Sequence, residues 1–291
     1  MLTVLVGLSS ALVFGAADFL GGMASKRINP VLVTALASAI GLVVLAVLLP
    51  FVGGEWSWRA VGLGALSGVF GAIAIGLLYA CLAVGPMSIL SPLTAVVSAI
   101  VPLTVGLIGG ERLQLLGYVA LGIALVAVVL VGFVPEKNAV RPSLKAVLMA
   151  IGSGIAIGGF LIVIDQTPDA SGLVPLVVNR AVNSTIMFAV VGILALVAWR
   201  RAKRTGVPTP ATSWRAGIFF VLGCGVIDAI ANTGLLLGVR LGELSVIAVL
   251  TALYPAGTII LAAIVLKERI ARLQYVGLVL AVAAGAMLAL A

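Results

Sequence analysis

The chain has 291 residues, 63% hydrophobic and only 9% charged, with a mean hydropathy of +1.34 and a formal net charge of +8. A soluble domain carries roughly 25% charged residues to cover its surface, so this composition excludes an ordinary globule in water and makes lipid the solvent. The absence of histidine removes imidazole relays, most zinc sites and every histidine-based catalytic dyad.

A membrane span needs about 20 apolar residues, and on that measure ten helices follow one another, near 2–25, 29–51, 58–83, 87–109, 113–134, 144–164, 172–199, 214–240, 243–265 and 271–290. The first stretch lacks a basic leader and is too long for a signal-peptide core, so it is expected to remain as the first span. Turn or charge signals separate the others: Lys26-Arg27-Ile28-Asn29-Pro30, Gly53-Gly54-Glu55, Gly85-Pro86 and Glu111-Arg112. A polar segment at 135–143 falls at the midpoint and reads as the linker between a first half, 1–134, and a second, 144–291. Cys81 and Cys224 both lie within spans and read as small core residues.

Lysine and arginine are retained on the cytoplasmic side of a membrane protein. Thirteen of the 17 fall in one set of alternate loops, including Lys26, Arg27, Arg200, Arg201, Lys203, Arg204 and Arg272. Arg59, Arg112 and Arg240 fall on the other side, and Arg180 lies within a span. With ten spans, both termini are expected outside the cytoplasm, in a multi-pass protein of the cell (inner) membrane. The charges leave no stripe for phosphates, so no nucleic-acid partner is expected. The expected partners are the bilayer and a small-molecule substrate, with the chain as a monomer.

Gly85, Ser88, Thr94, Glu111, Arg112 and Tyr118 recur as Gly242, Ser245, Thr251, Glu268, Arg269 and Tyr275, each 157 residues later. Five spans per copy is an odd number, so the second copy must enter the bilayer with opposite orientation. The fold class is therefore an all-α integral membrane protein of ten transmembrane helices in a five-plus-five inverted repeat. That architecture belongs to secondary transporters, with substrate bound near the midplane where the repeats meet.

Gly110-Glu111-Arg112-Leu113 after span 4, Lys267-Glu268-Arg269-Ile270 after span 9, Phe14-Gly15-Ala16-Ala17-Asp18-Phe19 in span 1 and Ser91-Pro92-Leu93 in span 4 resemble the EamA-type transporters of the drug/metabolite transporter superfamily. The resemblance covers the whole chain. It implies a secondary transporter of small metabolites, often an exporter of amino acids or related compounds, with a cavity lined by spans 1–4 and 6–9 and with spans 5 and 10 peripheral. Many such proteins are drawn with cytoplasmic termini, and the charges here argue the reverse.

An ionisable side chain at mid-membrane is expensive and by default functional. Arg180 in span 7 and Asp228 in span 8 lie at similar depths and can pair across the two helices. Asn179 and Asn183 accompany the arginine, and Asn232 flanks the aspartate at i+4. One reading is a substrate pocket in which Arg180 and the asparagines hold a carboxylate or amide; the other is a bolt between spans 7 and 8, with the asparagines as interhelical glue. Asp18, in span 1, has no cation at its depth. An arginine favours the ionised form of a carboxyl beside it, so Asp18 rather than Asp228 is the proton-coupling candidate. Its alternatives are contact with water at the inner vestibule or pairing with Lys26. Tyr79 and Tyr254 are candidate aromatic walls of the cavity, or simply packed. Pro92 and Pro255 each free a backbone carbonyl in spans 4 and 9, the expected gates. Gly64/Gly68, Gly154/Gly158, Gly234/Gly238 and Gly106/Gly110 read as small-residue packing pairs.

The function expected is secondary active transport by rocking one five-helix repeat against the other, most simply export of an amino acid. Uptake of a sugar, nucleoside or organic cation is the alternative. No catalytic residue, metal site or cofactor is expected. An intramembrane enzyme lacks the nucleophile–base pair or carboxylate cluster such chemistry needs, and a non-transporting scaffold remains as a third class.

Overall fold

The structure is a computed structural model that describes residues 1–84, 87–132, 142–205, 217–267 and 269–290, apart from the side chains of residues 79, 82, 83, 87, 88 and 205. Eleven α-helices are formed: α1 Leu2–Ser25, α2 Pro30–Val52, α3 Trp58–Val84, α4 Met87–Ile108, α5 Leu115–Gly132, α6 Leu144–Asp165, α7 Val174–Thr205, α8 Ile218–Leu241, α9 Leu244–Thr251, α10 Tyr254–Val265 and α11 Arg272–Leu290. With α9 and α10 taken as one broken span, ten spans among the described residues are long and apolar enough to cross a membrane. Lipid offers no partner for backbone N–H and C=O groups, so each span satisfies its own ladder as a helix. Local signals start several of them. Asn29 accepts a hydrogen bond from the Val31 N–H at 2.9 Å with Pro30 in the first turn, and Ser143 caps α6 by accepting from the Ala146 N–H at 3.2 Å.

Neighbours in space are not neighbours in sequence. The most extensive contacts join α1 to α8, α8 to α2, α2 to α7, α7 to α3, α3 to α6, α6 to α4, α4 to α9, and α9 with α10 back to α1. Eight spans thus close a ring in which members of the first and second halves alternate, and α5 pairs with α11 beside it. The two halves are interleaved. Nearly every large contact surface crosses between halves.

Small residues permit that interleaving. A Cβ on Gly64 or Gly68 of α3 would meet the backbone of Pro175 or Asn179 in α7, and one on Gly154 or Gly158 of α6 would meet Val97 or Val101 in α4. Gly234 and Gly238 of α8 lie against Ser10 and Ile247. These three pairs pack helices as expected, whereas Gly106 and Gly110 belong to a turn around Glu111.

The end of the ring that carries the chain termini is laced shut. Arg240 Nη2 donates to the Gly172 carbonyl at 3.0 Å, to Ser171 Oγ at 3.3 Å and to the Pro168 carbonyl at 3.4 Å. The Glu55 N–H donates to the Ala170 carbonyl at 2.8 Å, and the Leu173 N–H to the Gly53 carbonyl at 3.3 Å. The Thr3 hydroxyl reaches the Leu241 carbonyl at 3.0 Å. At this end the Glu243 carboxyl lies beside Glu111, within electrostatic reach of Asp165; Glu55, Asp169 and the cations Arg59, Arg112 and Arg240 are further charges of these turns. Desolvation, and then Glu111, push Glu243 above the usual carboxylate range. A proton on Glu243 therefore favours this closed arrangement, a contribution present at low pH and lost as pH rises through the range of Glu243. Thermal melting of E243Q should show a flatter pH profile than the wild type as pH rises above the ordinary glutamate range, about 4; identical profiles would remove Glu243 as the titrating group.

Candidate functional site

From α7, Arg180 meets Asp228 of α8 with an Nη2–Oδ2 distance of 2.5 Å. Their side chains are 12% and 23% exposed, so the pair is largely shielded but not sealed. Glycine makes the room. Gly41 of α2 faces the arginine, where a Cβ would lie 3.7 Å from its Cδ and Nε, and Gly225 lets α8 close on the Ala37 carbonyl and Ile40. Asn232, one turn beyond Asp228, donates from Nδ2 to the Asp228 carbonyl at 2.8 Å and to its Oδ1 at 3.2 Å. The Nε of Arg180 is buried with no hydrogen-bond partner among the described residues.

Asp18 approaches from α1 and comes within electrostatic reach of Asp228, Cys224 and Tyr254. It is exposed, as is Gly22 one turn on, where nothing lies within 4 Å of a Cβ position. The outer face of α1 is marked by the exposed Leu2, Leu5 and Leu12. At about 100° per residue Asp18 lies roughly 120–160° round the helix from these, so it opens inward and not to lipid. One turn before it, Gly15 is pressed against the backbone of Tyr254, Gly257 and Thr258, and the Thr258 hydroxyl donates to the Gly15 carbonyl at 3.1 Å. The opening therefore lies on the side of this crossing nearer the basic loops. Asp18 has neither an ion-pair nor a hydrogen-bond partner among the described residues, while Asp228 has both.

The other sequence candidates separate. Asn179 and Asn183 are each 3% exposed and face α2 and α3. Asn179 Nδ2 donates to Ser67 Oγ at 2.8 Å, and Asn183 Oδ1 accepts from the Ser38 hydroxyl at 2.9 Å, with its Nδ2 3.5 Å from the Gly68 carbonyl. Both amides are occupied in joining helices, the glue reading of these residues. N179L should lower the melting temperature, because Ser67 Oγ loses the amide that donates to it and keeps only its own bond to the Gly64 carbonyl, and leave ligand affinity in the remaining folded protein unchanged; a selective loss of binding would return Asn179 to the site. Tyr254 stands at the start of α10 beside Asp18. The Tyr79 side chain lies outside the described residues. Pro255 follows the break at Ala252–Leu253 that divides span 9, whereas α4 runs unbroken through Pro92, which packs against Gly132 of α5. Three participants had no signal of their own in the sequence: Gly41, Cys224 and Ser38. Helical wheels drawn without a partner do not show which glycine faces an arginine.

The interior is thus a ring of interleaved, oppositely oriented helices with an ion pair and an unpaired carboxyl inside. The family model described as EamA-like transporter family matches residues 1–133 and 144–290, nearly all of the chain and one copy per half, so the chain belongs to that family. A crystal structure of another protein superposes with a TM-score of 0.76 over 99% of this chain and 96% of its own, at 16% identity, a likeness of fold. No curated protein matches the sequence.

Proposed function

We propose that this member of the family is a secondary transporter that exports a small amine-bearing metabolite, an amino acid or close relative, coupled to protons. The observation that carries the reading is the division of labour between two interior acids. Asp228 is matched by Arg180, leaving that pair neutral, and Asp18 remains as an unpaired carboxyl facing the opening. A substrate ammonium is the natural partner of Asp18. The unsatisfied Nε edge of Arg180 then suits a carboxylate on the same molecule. Export requires loading from the cytoplasm, and Asp18 is open on the side of the basic loops, which the charge rule makes cytoplasmic.

A second reading, transport of a cation lacking a carboxylate, draws on the same ion pair: Arg180 already has a carboxylate. A thermal-shift screen of purified protein separates the two, because a ligand stabilises the state that binds it. Amino acids should shift the melting temperature and their decarboxylated amines should not; equal shifts by both would favour the cation reading. In proteoliposomes D18N should lose accumulation driven by a pH gradient. Retained gradient-driven accumulation in D18N would remove Asp18 from proton coupling.

A further inference from the structure

The start of α9 is held by the opposite half of the molecule. The first N–H groups of a helix have no partner within it, and Glu243, at the N-cap of α9, supplies no side-chain cap. Glu111 does so instead, from the turn between α4 and α5. Its Oε1 accepts from the Leu244 N–H at 2.8 Å and its Oε2 from the Ser245 N–H at 3.1 Å, across 133 and 134 residues of sequence. Both are charge-assisted bonds at the positive end of a helix, the stronger kind.

The turn is built for that carboxylate. Gly110 has φ +103°, a conformation that side chains resist, and the Glu111 N–H donates back to the Gly106 carbonyl at 3.1 Å. At Gly106 a Cβ would occupy the place taken by the Glu111 carboxylate. The helix it holds is unusual. All eight residues of α9 are buried, and the break at Ala252–Leu253 frees it from α10. The hydroxyls of Ser245 and Thr251 are buried in it without hydrogen-bond partners among the described residues. Each unsatisfied group costs about 1–3 kcal/mol, so the closed position of α9 carries a cost that a second position can relieve.

We propose that Glu111 is the releasable latch of the gate at the terminal end, holding α9 closed until its two hydrogen bonds break. The proposal rests on the transport reading for its purpose, but the latch can be seen without transport. In a C81A/C224A background, spin labels at the exposed positions Gln114 and Leu241 report the separation of the α4–α5 turn from the end of α8. A second pair on the exposed Val119 and Val282 of α5 and α11 reports general loosening.

In lipid nanodiscs the wild type should give one short distance for the first pair. E111A should add a longer component there and leave the second pair unchanged. E111Q, which keeps one acceptor oxygen of the same shape, should fall between them and serves if E111A does not fold. Wild-type distances in the folded variant, or widening of both pairs together, would overturn the latch. A widened mouth in E111A, in a protein for which no transported substrate is found, would leave the latch standing and remove the transport reading.

Discussion

Alanine at Arg180 is expected to cost more than any other single substitution in the interior. It leaves the Asp228 carboxylate with only the Asn232 amide beside it, and stripping one partner from a buried pair costs on the order of 3–5 kcal/mol. The cost should collapse when both members are removed. R180L/D228L replaces the pair with apolar volume, and such replacements are often neutral or stabilising. Melting temperatures of the two singles and the double give the coupling directly. The double variant also separates bolt from binding site. If it folds like the wild type and binds nothing in the thermal-shift screen, Arg180 serves the substrate. If it folds and binds normally, the pair only joins α7 to α8.

Gly15 is the second position of large expected effect. It and Gly257 meet backbone to backbone where α1 crosses α10, and a Cβ on either would enter the main chain of the other helix. Overpacking against yielding side chains costs about 1–3 kcal/mol; a carbonyl and a peptide nitrogen yield less, so G15A should cost at least that much. G22A makes the control on the same helix, since nothing lies within 4 Å of its Cβ position. Detergent-solubilised G15A should run as aggregate or melt many degrees below wild type, with G22A unchanged. A well-folded G15A would mean that the α1–α10 crossing can open, which also bears on how Asp18 is covered.

Much of this was legible in the sequence because hydrophobic length and charge placement are one-dimensional quantities. Ten spans, their order and the inverted repeat follow from counting, and the identical Glu-Arg pairs marked the equivalent turns. The Arg180–Asp228 pair could be read from depth alone, since both charges demand a partner in lipid. What could not be read was which helices touch. Asn179 and Asn183 share a span with Arg180 and looked like its companions, yet they face α2 and α3, where Ser38 and Ser67 wait on helices with no distinguishing pattern. Asp18 and Asp228 are far apart in sequence, and the packing of α1 on α8 brings them within electrostatic reach. Glu111 stands in the sequence only as a charge at a span end, and in the structure it caps the first turn of span 9, in the opposite half.

The alternation of the two halves around the ring has a consequence for how the chain is made. When residues 1–133 have been synthesised, α1, α2, α3 and α4 have met few of their final neighbours, because most of those are encoded in the second half. Interior carbonyls and close-packing glycine faces then look onto lipid or onto the insertion machinery. The first five helices should thus remain sensitive to protease and prone to degradation until α6 to α8 arrive. Expressed alone, residues 1–133 should be unstable, and co-expression with 144–291 should rescue both, because each half acts as the other's folding partner during biogenesis.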